Sequence, residues 1–328
     1  MINILIFRTD RIGDLIFTCP TILTLKEYFK NSNITLISSR KNYDYAKRLG
    51  IFDEIITYPK GTLNKISFIK NFSKKEFNYT FIYDGKERSV LLSNFIKSKY
   101  KVAITQKRRF LFSFFKIKYF FDHEKTDLNT LFQNTLDYCD IKKTIANYDF
   151  LLHKNDNKFS EKIHLSNYLH IHLDEKWFSN LYIKKYTNIK PDYNDFINFL
   201  NSLSTNNDVL ITTGLIDLNL VEDLKIKYFS KLNNKIYFKK KINNSIYLII
   251  KPTFDDLESL LRNAKILISC HGAITHAANS FNIKKIDIIE YKRELFYKRF
   301  TSYLKKYRSL YREEFKELSY KILKLLRE

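Results

Sequence analysis

Short apolar or β-branched runs alternate with longer amphipathic stretches along the first half of the chain. Ile2 to Phe7 is followed by Leu15 to Phe29, and Ile34 to Ser38 by Tyr43 to Leu49, which is the rhythm of strands and helices taken in turn. Glu54 to Thr57, Tyr79 to Tyr83 and Lys101 to Thr105 predict further strands with helical stretches between them, and Asp127 to Asp140 predicts a helix. A parallel sheet covered by helices on both faces accounts for this pattern most economically.

From Ile141 to Lys162 the chain is largely polar and weakly periodic, as in a linker. The rhythm then restarts. Strands are expected at Tyr168 to Leu173, Val209 to Thr212, Ile246 to Ile250, Ile266 to Ser269 and Lys285 to Ile289, separated by helices at Asp192 to Leu203, Leu218 to Phe229, Phe254 to Asn263 and Thr275 to Phe281. A length of 328 residues suits two domains. The fold class expected is therefore α/β, with two Rossmann-like domains, residues 1–150 and 151–290, whose parallel sheets face a central cleft at the carboxyl ends of their strands. No internal repeat of fixed period is present in the sequence.

Composition narrows the class of protein. Hydrophobic residues make up 45% and charged residues 28% of the chain, so a large core can form and disorder is excluded. The net charge of +22 favours anionic partners without choosing among phosphoglycans, lipid headgroups and nucleic acid. Cys19, Cys139 and Cys270 are far apart and lack the spacing of a disulfide framework or a zinc site, which fits a reducing cytoplasm. The opening MINILIFRTDRIGD reaches charge too early for a signal peptide, and no run of about 18 apolar residues exists to span a membrane.

Candidate chemistry begins just after the first strand, in Arg8-Thr9-Asp10-Arg11-Ile12-Gly13-Asp14. Gly13 permits a close backbone approach at a helix start, whose free N–H groups attract anions. Asp14 is read either as a cap of the following helix or as a general base for an acceptor hydroxyl. The spacing is not GxGxxG, which disfavours a dinucleotide cofactor. The stretch ILIFRTDRIGDLIFTCPTILTLKEYF, with its Gly-Asp and its Thr18-Cys19-Pro20, resembles the opening of the family 9 glycosyltransferases, the heptosyltransferase-like enzymes of GT-B fold. That resemblance implies Asp14 as catalytic base, Arg8, Arg11 and Gly13 on the acceptor side, and structural roles for Thr18 and Pro20. It also implies that the segment 291–328, with 12 Lys and Arg against 5 Asp and Glu and an amphipathic helical pattern, returns to pack on the N-terminal domain.

Further matches lie in the second half. Lys176-Trp177 resembles a family element whose lysine contacts donor phosphate, with one intervening residue missing here; the alternative is a solvated lysine beside a buried tryptophan. Ile211-Thr212-Thr213-Gly214, with Glu222 beyond, resembles the family's donor-side strand, turn and helix, which implies that Thr212, Thr213 and Gly214 line the nucleotide. In Ser269-Cys270-His271-Gly272-Ala273-Ile274-Thr275-His276-Ala277-Ala278, His276 and Ala278 match the family's Asp-Ser/Thr-Gly-x-x-His-x-Ala element. His271, Gly272 and Ala273 then occupy the positions of its aspartate, hydroxyl residue and glycine. Loss of that aspartate leaves the donor sugar open, with His271 and His276 as candidate contacts to diphosphate or sugar.

Lys107-Arg108-Arg109-Phe110-Leu111-Phe112-Ser113-Phe114-Phe115-Lys116-Ile117-Lys118 carries five cations and no acid, interleaved with apolar residues that suit a membrane interface; a solvated loop is the alternative. Under the resemblance, Lys107, Arg108, Arg109 and His123 belong to the acceptor surface. The function expected is inverting, metal-independent transfer from a nucleotide-sugar donor to an anionic cell-envelope glycan or glycolipid, in the cytoplasm with peripheral contact to the inner membrane face. No cofactor beyond the nucleotide-sugar co-substrate, no metal and no nucleic-acid partner are expected. Two alternatives stand beside it: a basic module binding nucleic acid or anionic surfaces, and a transferase made inactive by His271.

Overall fold

The computed structural model describes residues 1–105, 117–121, 126–145, 149–151, 163 and 165–328. Lys107, Arg108, Arg109 and His123, and most of the basic aromatic cluster, lie outside the described residues. The chain divides into two compact units, Met1–Tyr148 with Lys298–Ser302, and Asp149–Tyr297 with Tyr303–Glu328.

The first unit contains the strands β1 (Ile2–Arg8), β2 (Ser32–Ser38), β3 (Glu54–Thr57), β4 (Glu76–Ile82), β5 (Lys97–Thr105) and β6 (Lys118–Phe121), with helices α1 (Ile12–Tyr28), α2 (Tyr43–Leu49), α3 (Thr62–Phe72), α4 (Glu87–Asn94) and α5 (Leu128–Tyr138). Their sheet order is β3-β2-β1-β4-β5-β6, and every pairing is parallel. Ile4 to Phe7 of β1 are all fully buried, as a central strand covered on both faces requires. The winding reverses between β1 and β4, so the chain leaves these two neighbours in opposite directions and opens a crevice at their carboxyl ends.

In the second unit the strands are β7 (Tyr168–Leu173), β8 (Val209–Thr213), β9 (Ser230–Lys231), β10 (Ile236–Lys240), β11 (Ser245–Ile249), β12 (Ala264–Cys270), β13 (Lys284–Ile289) and β14 (Tyr307–Tyr311). Helices α6 (Tyr193–Leu203), α7 (Asn219–Lys227), α8 (Phe254–Arg262), α9 (Ala273–Asn279), α10 (Glu294–Thr301) and α11 (Phe315–Arg327) complete it, α10 running on into the segment counted with the first unit. The order β14-β13-β12-β7-β8-β11-β10-β9 is parallel from β14 to β11 and antiparallel at β10 and β9. Setting the β9–β10 excursion aside, the six parallel strands follow the same winding as the first sheet, with the reversal between β7 and β12.

The tail departs from the expected helical return. A strand, β14, extends the second sheet beside β13, and α11 buries Phe315, Leu318 and Ile322 in the second unit's core; only Lys298–Ser302 belongs with the first unit. The apolar spacing of α11 defines a face but not the surface that receives it. The strand was hidden because an edge strand is half exposed: Tyr307–Tyr311 has no fully buried position and no clean alternation.

Candidate functional site

At the carboxyl end of β1 the chain turns into α1 through Thr9, Asp10 and Arg11. Buried Asn42 donates to the carbonyl of Arg8 at 2.9 Å, and Ser39 Oγ to that of Asp10 at 2.7 Å, so the β2–α2 loop fixes this turn. Asp14 sits in the first turn of α1. Its carbonyl accepts from Arg8 Nε at 3.0 Å and from Thr18 Oγ1 at 2.8 Å, and its Oδ2 accepts from Arg11 N–H at 3.2 Å. The carboxylate therefore does cap the helix, yet its side chain remains 38% exposed and lines a cavity. Arg8 is buried, 3.7 Å from Asp14 Oδ1 and 3.4 Å from Asp10 Oδ2. Arg11 is exposed at the N-cap, and Gly13 lies within the first turn without a positive φ; neither lines the cavity. Thr18 and Pro20 are fully buried inside α1.

That cavity, about 730 Å3, is bounded by the ends of β1, β4 and β5, the starts of α1 and α5, and Phe300. Its far wall is the β4–α4 loop, Asp84-Gly85-Lys86-Glu87-Arg88, which the sequence reading passed over. Lys86 Nζ pairs with Asp10 and donates to the Thr9 carbonyl at 3.0 Å, while Arg88 reaches Thr9 Oγ1 at 3.1 Å. Asp84 accepts from Thr9 Oγ1 and from Ser89 Oγ at 2.7 Å. Burial pushes its pKa up, against the lowering by those two hydroxyls. The signal available was the strand end followed by Asp-Gly. Gly85 has φ +57°, and a Cβ there would lie 2.4 Å from the Ile104 carbonyl oxygen. Gly85→Ala is expected to cost about 2–3 kcal/mol, from left-handed backbone strain and a displaced strand carbonyl. Urea unfolding measures it, and an unchanged midpoint refutes it.

In the second unit, the carboxyl ends of β7, β8 and β12 come together. Asp174 caps the short turn after β7, accepting from Lys176 N–H at 3.1 Å. Lys176 is not a solvated lysine: its Nζ lies 2.6 Å from Asp174 Oδ2, with the side chain 18% exposed. Burial depresses its pKa, but the Asp174 charge outweighs that and holds it above the ordinary lysine value. Trp177 beside it is fully buried and donates to the His172 carbonyl at 2.9 Å. A Cβ on Gly272 would stand 2.6 Å from Lys176 Nζ, and one on Gly214 would meet Glu175 Oε2 at 2.7 Å and Asp174 Cβ at 2.8 Å. Both glycines are thus where β12 and β8 approach the Asp174–Lys176 turn, and neither needs a positive φ.

His271 follows β12. Its Nδ1 is 2.7 Å from Oδ2 of fully buried Asp287, which also accepts from Tyr307 OH at 2.9 Å and Thr275 Oγ1 at 3.2 Å. Asp287, on β13, was not singled out in the sequence, because nothing local links it to a residue 16 positions earlier. Ala273 opens α9 partly exposed.

Three of the donor-side candidates are buried. Thr212 is fully buried, its hydroxyl 2.8 Å from His170 Nε2 and 2.9 Å from His172 Nδ1, so it ties β8 to β7 inside the sheet. Thr213 is buried and accepts from Lys251 N–H at 2.8 Å. His276 is buried, with Nδ1 2.6 Å from Tyr303 OH, and burial followed by the nearby His271 lowers its pKa well below the ordinary value. The period of two along a strand makes neighbouring threonines face opposite sides of the sheet, and both sides here are covered.

Among the described residues, no group of three or more His, Cys, Asp and Glu is close enough to hold a metal ion, and no helix is long and apolar enough to cross a membrane. No protein-family model matches the chain, and no curated protein matches it. Solved structures do. A family 9 glycosyl transferase from Veillonella parvula aligns with TM-score 0.68 and 16% identity over 99% of this chain and 89% of its own. The E. coli heptosyltransferase WaaC with ADP aligns with TM-score 0.69 and 12% identity over 99% of each chain. A UDP-GlcNAc 2-epimerase from Methanocaldococcus jannaschii aligns with TM-score 0.59 and 13% identity over 99% of this chain and 92% of its own. At such identities the likeness speaks for architecture, and the chain has the heptosyltransferase-like GT-B fold, α/β with two doubly wound units.

Proposed function

We propose that the protein is a glycosyltransferase that moves a sugar from a nucleotide-sugar donor to a cell-envelope glycan acceptor, with inversion at the anomeric carbon. The observation that carries this reading is the cavity at the switch point of the first sheet, with the partly exposed Asp14 carboxylate held at its edge. In this reading the acceptor occupies that cavity. Asp14 takes the proton from the acceptor hydroxyl as its oxygen attacks the anomeric carbon, and the bond from that carbon to the diphosphate breaks. Arg8 and Arg11 N–H hold the carboxylate in place, while Lys86 and Arg88 offer charge-assisted contacts to an anionic acceptor.

The donor is assigned to the second unit. Lys176 supplies a cation next to the Gly272 backbone, where a departing diphosphate can be stabilised. His271 stands where the family element carries aspartate, and Asp287 holds its Nδ1 so that Nε2 is available to the donor. The solved relatives include a heptosyltransferase with ADP and, from S. aureus, MnaA with UDP, so the fold carries both nucleotides in those proteins. A thermal-shift screen of ADP-, GDP-, UDP- and CMP-linked sugars tests the assignment. One class is expected to raise stability by about 2.7 kcal/mol at a hundred times its dissociation constant. If none stabilises the protein at millimolar concentration, the donor assignment is wrong.

A further inference from the structure

We propose that a second anion site lies at the opposite end of the second sheet, where β12, β13 and β14 begin, and that it takes a small phosphate-bearing molecule. A cavity of about 270 Å3 opens there. Lys284, Lys285, Lys306 and Arg308 line it, and Glu328 is its one acid among the described residues. Its walls include Ile266, Ile286 and Leu325, giving an apolar side for a short carbon skeleton. The register of β12 against β7 shifts between Ala264 and Ile266, and Lys306 adopts φ +48°, unusual for a side chain of that size.

Lys285 decides the chemistry. It is 1% exposed, and its Nζ donates to the Ile283 carbonyl at 2.9 Å and to no carboxylate among the described residues. Burial, with Lys306 and Lys305 close by, draws its pKa down to about 8. An ammonium withdrawn from water without a counter-charge costs several kcal/mol. Three further cations gathered around the same opening add repulsion that an anion relieves. A phosphate dianion supplies acceptors for several donors at once, and Arg308 can engage it bidentately. The six residues of β13 put about 17 Å between this cavity and the carboxyl end of the sheet, so the site is separate from the one assigned to the donor.

The test uses the full chain and its Lys285→Met and Arg308→Ala variants, titrated with inorganic phosphate and with glycerol phosphate at constant ionic strength. Lys285→Met keeps the apolar stem and removes the buried charge, so it is expected to fold at least as well as the parent. Saturable stabilisation of the parent, with affinity reduced about tenfold or more in both variants, supports the proposal. Vesicles of phosphatidylcholine with and without phosphatidic acid form the second arm. Sedimentation that needs phosphatidic acid and Lys285, without any effect of the soluble phosphates, identifies the phosphate as a lipid headgroup. Stabilisation that is equal in parent and Lys285→Met, or no Lys285-dependent binding in either arm, overturns the proposal. Nucleotide-sugar binding retained by Lys285→Met distinguishes a failure here from a failure of the donor assignment.

Discussion

Asp14→Asn is expected to lower kcat by about a hundredfold to ten-thousandfold, the usual contribution of a positioned general base, with little change in KM for the acceptor. The amide is isosteric, and its oxygen can still accept from Arg11 N–H, so the cap of α1 survives. What is lost is the ability to take a proton, and with it the negative charge facing Arg8 at 3.7 Å. A merely structural Asp14 predicts the reverse: turnover is kept, and the only loss is a change in stability of up to about 1 kcal/mol from the missing charge beside Arg8. Transfer rates and urea midpoints for the same preparation separate the two, and full turnover in Asp14→Asn sinks the catalytic assignment.

Acidification from pH 7 to pH 5 is expected to remove about 4 kcal/mol of the second unit's stability through His170 and His172. Burial lowers the pKa of His170 to about 3, and the neighbouring His172 adds to this. His172 is lowered by burial to about 4, with Asp174 opposing and Lys176 assisting. Both are neutral when folded and titrate near 6.5 when unfolded, so the unfolded chain binds more protons below that value. Their contribution is complete above pH 6.5 and is lost as pH falls toward the folded values, at about 1.4 kcal/mol per pH unit for each histidine. The geometry agrees with neutral rings. His170 Nδ1 is buried without a partner, so the assignment that leaves no buried N–H without an acceptor puts the proton on Nε2, toward Thr212. Thr212 then donates to His172 Nδ1, and His172 Nε2–H points to Asp174 Oδ2 at 3.7 Å. Denaturant unfolding at pH 5, 6 and 7 measures the slope, and His170→Gln, which cannot titrate, should reduce the loss between pH 7 and pH 5 by about 2 kcal/mol. A flat profile contradicts the assignment of neutral buried rings.

Much of the architecture was legible in the residues themselves. The strands from Ile2 to Phe7 and from Tyr168 to Leu173, and the helices capped by Asp127 and Asp192, follow from apolar periodicity and end signals. These are short-range effects, and the chain carries them wherever it goes. The placement of Asp14 at a helix start after a strand was equally local.

Nothing local reveals partners brought together by winding. Thr212 reads as an ordinary strand-end hydroxyl until β7 lies beside β8 and His170 and His172 close on it. The Asp84–Arg88 wall meets Thr9 and Asp10 only because β1 and β4 are neighbours some 75 positions apart in the chain. Asp287 meets His271 because β13 pairs with β12, and Lys285 loses its water for the same reason. The sequence by itself determined most of the central strands and the helices between them, because hydrogen bonding and apolar periodicity act over a few residues, while the edge strand β14 left no such pattern. Only the tertiary structure decided which buried charges face each other, because parallel pairing joins residues whose distance along the chain carries no pattern.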